Sequence, residues 1–203
     1  MTMKPAPSII WPALLAACGL LASLEAGAQP SAAPDRLTAE FTMVRTLTVL
    51  SDSISSSGRL VLGGPGRMRF EMTAPARSIL VIDGGKGWIR YPDLNVTKSF
   101  DLGADPVMRV LSEHLLILTS GDFGKAGAFY TVTDGAKPGE KRLVPKQTEI
   151  KALFAEIRVA MGPNGVVSWV ELVSAGGDTT RLAFKNVKIN PPIDASLFEK
   201  PRP

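Results

Sequence analysis

Hydrophobic and polar residues alternate along most of the chain from Arg36 onward, with turn-forming residues between the alternating segments. The clearest alternation lies in 67–72, where Met68, Phe70 and Met72 fall on one side and charged residues fall on the other. A period of two is typical of a strand with one buried face. The pattern therefore predicts a sheet of short antiparallel strands. We place these strands at 37–50, 58–62, 67–72, 78–83, 88–91, 96–102, 128–133, 142–145, 153–161, 166–173 and 179–187.

One segment has helical rather than alternating spacing. Asp105 is a suitable N-cap, Pro106 suits the first helical position, and Gly121 ends the apolar stripe. A sheet with one apolar helix against it is compatible with a packed core and with a lined cavity, and the spacing does not choose between them. The apolar positions of the predicted helix are Val107, Val110, Leu111, Leu115 and Leu118.

The start of the chain has the features of an export signal. Lys4 supplies a positive charge, and the apolar run that follows is shorter than the roughly 20 residues of a membrane span. Ala26-Gly27-Ala28 then gives the small residues that a signal peptidase accepts. We therefore predict a signal peptide at 1–28, a flexible leader at 29–36 and a single domain at 37–203, in a periplasmic protein.

A second cleavage position is also compatible with this segment. Leu15-Ala16-Ala17-Cys18 resembles a lipoprotein box, in which Cys18 is acylated and becomes the new N-terminus. The apolar run continues beyond Cys18, which favours cleavage after Ala28. Attachment to the outer membrane through Cys18 is kept as the alternative.

The composition excludes several classes of protein. The 203 residues carry a formal net charge of +4 and include one Cys and one His. One Cys excludes a disulfide scaffold and a zinc site of several thiolates. The one His, His114, has Ser112 and Glu113 beside it, but consecutive helical residues point in different directions and form no catalytic relay. The basic residues lack interleaved aromatics. We predict no enzyme, no metal, no cofactor and no nucleic-acid partner.

Several segments, in their order and spacing, resemble the outer-membrane lipoprotein carrier (LolA-like) family. They are 39–43, 57–62, 67–75, 78–84 followed by 87–92, and 191–198. The resemblance covers the chain from Leu37 to Phe198. It implies a mainly β (α+β) fold, a half-open antiparallel β-barrel closed by a helical lid around an apolar cavity. In such carriers the cavity shields the acyl chains of lipoproteins that cross the periplasm.

The resemblance and the alternation together give the predicted ligand site. Phe70 falls where the family commonly carries Trp on the inner wall, and the predicted helix matches a lid element. The predicted cavity residues are Phe41, Met43, Leu60, Leu62, Met68, Phe70, Met72, Leu80, Trp88, Val159, Trp169 and Phe184. The predicted lid residues are Val107, Val110, Leu111, Leu115 and Leu118.

Two positions depart from the family's pattern. Met43 stands where members often carry Gln, and Gly64 stands where members carry a basic residue that helps to hold the lid. Arg67 and Arg69 are candidates to replace that residue. The departures leave open a carrier of another lipid, such as a glycolipid or a polyene intermediate. An outer-membrane-anchored acceptor or sensor lipoprotein of the same fold is the third hypothesis.

The resemblance also implies partners. They are acylated lipoproteins or another lipid, an inner-membrane export complex and an outer-membrane acceptor. We expect the carrier to act as a monomer.

Overall fold

The computed structural model describes residues 34–49, 52–121, 123–152, 154–162 and 165–201. The strands are β1 (Arg36–Thr46), β2 (Ser53–Gly64), β3 (Arg67–Ala74), β4 (Ser78–Asp83), β5 (Lys86–Tyr91), β6 (Val96–Asp101), β7 (Tyr130–Asp134), β8 (Glu140–Pro145), β9 (Glu156–Met161), β10 (Val167–Val173) and β11 (Thr179–Ile189). The helices are α1 (Pro106–Ser120), α2 (Phe123–Phe129) and α3 (Thr148–Lys151), with short 3₁₀ turns at Pro92–Leu94 and Ala195–Phe198.

The predicted signal peptide and Cys18 lie outside these ranges. β1 begins at Arg36, the last residue of the predicted leader. Among the described helices, none has the length and apolar character needed to cross a bilayer.

The eleven strands of the described residues belong to one sheet, in the order β6-β5-β4-β3-β2-β1-β11-β10-β9-β8-β7. Every neighbouring pair is antiparallel. Strands that are consecutive in the chain are also neighbours in the sheet, except for β6 and β7, and at the centre of the sheet β1 pairs with β11. The two outermost strands, β6 and β7, form the edges, so the sheet is open. The prediction of a mainly β, antiparallel fold is confirmed.

The helix predicted from the apolar spacing is α1. The Asp105 side chain accepts a hydrogen bond from the backbone N–H of Met108 at 3.0 Å. Gly121 ends the helix with a φ of 75°, and its N–H donates to the Ile117 carbonyl at 3.1 Å. These contacts satisfy backbone groups that a helix end leaves unpaired.

A second helix, α2, lies where no helix was predicted, and it overlaps the start of the strand predicted from Ala128. Its sequence, FGKAGAF, contains two glycines and has a low intrinsic helix propensity. Ala126 is nevertheless fully buried in an apolar cluster that also contains Tyr130. Tertiary packing therefore determines this helix, and the strand begins only at Tyr130. The short helix α3 was also not predicted.

We call the sheet face against which α1 packs the inner face and the opposite one the outer face. The inner face carries two apolar clusters. The first is centred on β1–β4 and the second on β7–β10, and Phe184 of β11 contacts both. A smaller third cluster, on the outer face, contains Val81, Trp88 and Phe198.

Candidate functional site

Strand register places rows of apolar side chains across the inner face. Leu60 of β2 is paired with Phe70 of β3, and Phe70 is paired with Leu80 of β4. Directly paired residues project to the same face of a sheet. A parallel row runs from Leu62 through Met68 to Ile82. The second row is deeply buried, whereas Phe70 and Leu80 in the first row are half-buried.

Three aromatic rings meet on this face. Phe41 and Phe70 are stacked, with 4.5 Å between ring centroids and 16° between planes. Phe184 meets Phe41 edge-on, with centroids 6.5 Å apart. Phe41 is 1% exposed, while Phe70 and Phe184 keep part of their surface accessible. Such contacts add stability beyond the burial of apolar area.

Most of the predicted cavity residues share the inner face. The first inner cluster or the side chains packed against it include Phe41, Met43, Leu60, Leu62, Met68, Phe70, Met72, Leu80 and Phe184. Val159 is fully buried in the second inner cluster. The alternating positions of β1–β4 thus converge on one apolar surface.

The prediction that Trp88 lines the inner face is corrected. Trp88 is paired with Val81, one position out of phase with the inner pair Leu80 and Ile89. Its indole N–H donates to the Phe198 carbonyl at 3.3 Å. Trp88 therefore lies on the outer face, where the C-terminal 3₁₀ turn covers it. The sequence shows the apolar character of this residue but not which face it occupies.

Trp169 is also on the outer face. Its neighbour Val170 is paired with Leu182 on the inner face, so Trp169 and Glu171 project to the opposite face. The guanidinium of Arg181 lies 4.0 Å from the centroid of the Trp169 ring. This contact is a cation–π interaction in a polar environment. The prediction that Trp169 lines the apolar cavity is therefore corrected.

The two arginines considered as replacements for a lid-holding residue face away from α1. Arg67 pairs with Asp83 at 2.9 Å and lies over the Phe198 ring at 4.5 Å. Arg69 pairs with Glu71 at 2.9 Å and donates to the Leu197 carbonyl at 2.9 Å. Both side chains anchor the C-terminal segment to the outer face. Neither is therefore placed to hold the lid in place of the basic residue that is absent at Gly64.

Helix α1 covers part of the inner face. Met108, Leu115 and Leu116 pack against the first inner cluster, and Ile117 belongs to the second. Leu115 is the predicted lid residue whose side chain is described. The side chains of the others, Val107, Val110, Leu111 and Leu118, and that of His114, lie outside the described part of the structure.

A cavity of about 500 Å³ adjoins the covered face, between the β2–β3 turn, α1 and α2. Leu62, Leu116, Ile117 and Phe129 form much of its apolar lining. Its volume lies within the roughly 300–1,000 Å³ of small-molecule sites. Of the predicted cavity residues, Leu62 lines this cavity. The others belong to the packed inner face, except Trp88 and Trp169 on the outer face.

The polar groups that line this cavity come from three parts of the chain. The lining includes Asp35 before β1, Glu113 of α1 and Lys125 of α2. Gly64 lines it as well, with a φ of 118° that strongly favours glycine. Sequence reasoning missed the contribution of α2, because its two glycines give the segment a low helix propensity.

The second inner cluster contains one ionisable side chain. Tyr130 is 1% exposed, and burial raises the pKa of its hydroxyl above the ordinary value. The group is therefore neutral at physiological pH. Among the described residues, no group of three or more His, Cys, Asp or Glu side chains is arranged to hold a metal.

These features define an open-sheet, mainly β protein with an apolar face beneath a helix and a cavity at its border. The family model described as "Outer membrane lipoprotein carrier protein LolA" matches residues 35–200. The chain belongs to the LolA family.

Named relatives support this assignment. The chain is 29% identical over 196 residues to the outer-membrane lipoprotein carrier protein of Pseudomonas aeruginosa, covering 91% of this chain and 90% of the relative. It is 28% identical over 176 residues to the protein of the same name from Azotobacter vinelandii, covering 81% of each. A crystal structure of a LolA superfamily protein from Nitrosomonas europaea covers 82% of this chain and 91% of its own, with 11% identity and a TM-score of 0.43. The family assignment rests on the sequence matches.

Proposed function

We propose that this protein is a periplasmic carrier that shields the acyl chains of lipoproteins between the inner and the outer membrane. The observation that carries the proposal is the apolar inner face, on which Phe70, Leu80 and Phe184 are half-buried and against which α1 packs. Family membership supports it, since the matched relatives are named as outer-membrane lipoprotein carrier proteins.

Transfer energetics explain why such a face is needed. Each buried methylene contributes about 0.8 kcal/mol, so a free acyl chain in water is strongly unfavourable. A carrier replaces water around the chain with apolar side chains. No bond is made or broken in this process, and we propose no catalytic role.

We further propose that α1 acts as a lid. The inner face is covered by a helix that contributes Met108, Leu115 and Leu116 rather than by a second sheet. A helix held by side-chain packing can move away without breaking strand hydrogen bonds. Entry of an acyl chain requires α1 to leave at least part of this surface.

The proposed location follows from the N-terminal sequence. Cleavage after Ala28 releases the domain 37–203 and its leader into the periplasm, whereas acylation of Cys18 anchors it to a membrane. Mass spectrometry of the N-terminus distinguishes the two, because a free Gln29 and an acylated Cys18 exclude each other. An inner-membrane export complex and an outer-membrane acceptor are the proposed partners of a monomeric carrier.

A second candidate is a carrier of another lipid, such as a glycolipid or a polyene intermediate. Gly64 favours this candidate, because the family's basic lid-holding residue is absent there and Arg67 and Arg69 face the outer side. A lid that is not held by this basic residue is compatible with a lipid ligand other than a lipoprotein.

Native mass spectrometry with lipid extraction tests both candidates on protein purified from its own cells. A co-purifying lipoprotein supports the first candidate and shows that Gly64 does not prevent loading. A free glycolipid or other lipid supports the second. Protein that is empty and binds no acyl probe contradicts both. Protein unfolded and refolded without lipid serves as the control for carry-over during purification.

A further inference from the structure

The outer face carries a groove that the carrier function does not use. It has a volume of about 550 Å³ and lies over β8–β11, with the β7–β8 turn as one wall. We call it the outer-face groove. Trp169, Arg142, Arg158 and Arg181 are among its lining residues. The apolar cavity lies on the other face of the sheet, so the two sites can be occupied independently.

Arginines and glutamates form a connected ladder in this groove. Glu156 accepts hydrogen bonds from Arg142 and Arg158, and Glu171 accepts from Arg158 and Arg181. Three guanidinium groups therefore share two carboxylates. The ladder has an excess positive charge, while in the wall the charges of Lys137 and Glu140 offset each other.

The charges are also layered. The Glu156 and Glu171 side chains are only 13% and 16% exposed, whereas those of the three arginines are 47–51% exposed. The carboxylates thus lie beneath the guanidinium groups. Each guanidinium has five N–H donors, and the four hydrogen bonds of the ladder use a small part of them. The groove presents cationic donors to its opening.

Trp169 adds an apolar surface among these charges. Its ring is half-buried, lies under the Arg181 guanidinium, and belongs to none of the three apolar clusters of the described residues. Tryptophan and arginine are the residues most enriched among those that dominate protein–protein binding. The ring therefore presents an apolar surface beside the cationic donors of the groove.

We propose that the outer-face groove binds an acidic segment of a partner protein. Carboxylates of that segment hydrogen-bond to the guanidinium groups of Arg142 and Arg181, and an apolar side chain contacts the Trp169 ring. Planar guanidinium groups suit carboxylates because they bind both oxygens. The wall formed by the β7–β8 turn makes the site concave, which fits a protruding chain better than a flat membrane surface. This proposal goes beyond the carrier function and does not depend on it.

Fluorescence anisotropy with a short labelled peptide of alternating Glu and Leu tests the proposal. The control peptide has Gln in place of Glu. We expect the acidic peptide to bind the purified protein at low ionic strength, to weaken as NaCl is added, and to bind far more tightly than the control. Arg181→Gln is expected to weaken binding by roughly tenfold, the effect of losing a charge-assisted hydrogen bond.

The matched variant is Arg59→Gln, which removes an exposed arginine from β2, in the other half of the sheet. It is expected to leave the affinity unchanged. Arg142→Gln provides a second groove variant if Arg181→Gln does not fold, and thermal unfolding checks both. Equal weakening by the groove variants and Arg59→Gln overturns the proposal, as does absence of peptide binding. Binding of phosphatidylglycerol vesicles that requires Arg181, without peptide binding, also overturns it and assigns the groove to membranes.

Discussion

The ring of Phe41 occupies the space that Gly58 leaves open on the neighbouring strand. A Cβ atom at Gly58 would lie 2.5 Å from Cζ of Phe41 and 2.0 Å from the backbone carbonyl oxygen of Glu71. Phe41 is paired with Gly58 across β1 and β2, so the conflict is built into the register. The stack of Phe41 on Phe70 therefore depends on the absence of a side chain at Gly58.

Substitution of Gly58 by Ala is expected to lower the free energy of unfolding by about 1–3 kcal/mol, because overpacking displaces backbone as well as a ring. Urea unfolding followed by circular dichroism measures the change. Gly85→Ala is the control, since a Cβ there has no heavy atom within 4 Å. A Gly58→Ala protein as stable as Gly85→Ala contradicts the described packing.

A charge at Phe70 is expected to abolish acyl-chain binding. Phe70→Glu places a carboxylate on the apolar inner face, where no water solvates it once a chain is bound. Displacement of a fluorescent fatty-acid probe measures binding, and circular dichroism checks the fold.

The control for this variant is Ser99→Glu, which adds the same charge at an exposed position of β6. If Phe70→Glu does not fold, Phe70→Ala is measured instead and is expected to weaken binding. Unchanged probe binding by a folded Phe70 variant excludes this residue from the ligand site.

The C-terminal segment is expected to stabilise the outer face through one ring. Phe198 is 3% exposed, stacks under the Arg67 guanidinium and fills the space above Gly63. Phe198→Ala should cost about 3 kcal/mol, as for other buried phenylalanines. Leu197→Ala, at a neighbouring residue that is 37% exposed, should cost much less. Thermal unfolding compares the two, and equal losses count against the anchoring role.

We expect the Glu156 carboxyl to make a pH-dependent contribution to the free energy of unfolding. Burial raises its pKa, but the hydrogen bonds and the charge attraction of Arg158 and Arg142 together outweigh burial and hold the pKa below its ordinary value. A lowered pKa stabilises the fold at pH values above the unfolded-state pKa, and this stabilisation is lost as the pH falls through the folded-state pKa.

We therefore expect Glu156→Gln to be less stable than wild type at neutral pH, with a difference in melting temperature that shrinks in acid. Glu199→Gln changes an exposed glutamate near the C-terminus and serves as the control. A difference for Glu156→Gln that is constant from neutral to acid pH would exclude this linkage.

Strand positions could be read from the sequence because alternation and turns follow local rules. The inner face of β3 is an example, since Met68, Phe70 and Met72 are separated by charged residues. The N-cap at Asp105 and the C-cap at Gly121 are equally local signals.

Other features depended on contacts between distant parts of the chain. The sequence pattern does not show that Trp88 and Trp169 lie on the outer face. The face of each residue is set by its pairing partner on the neighbouring strand. Trp88 is covered by a segment 110 residues away in the chain, through the carbonyl of Phe198. Helix α2 likewise depends on the burial of Ala126 against the second inner cluster.

The pairing of β1 with β11 has a consequence for how the molecule is made. The strand that begins at Arg36 has β2 on one side from early in synthesis, but its other neighbour ends at Ile189. Each half of the sheet can form its own hairpins as it is synthesised, yet the halves become one structure only when nearly the whole chain is present. Contacts so distant in sequence slow folding and leave a hydrogen-bonding edge at β1 open in the meantime. A nascent or truncated chain that ends before Thr179 therefore exposes β1 as a site for pairing with other chains.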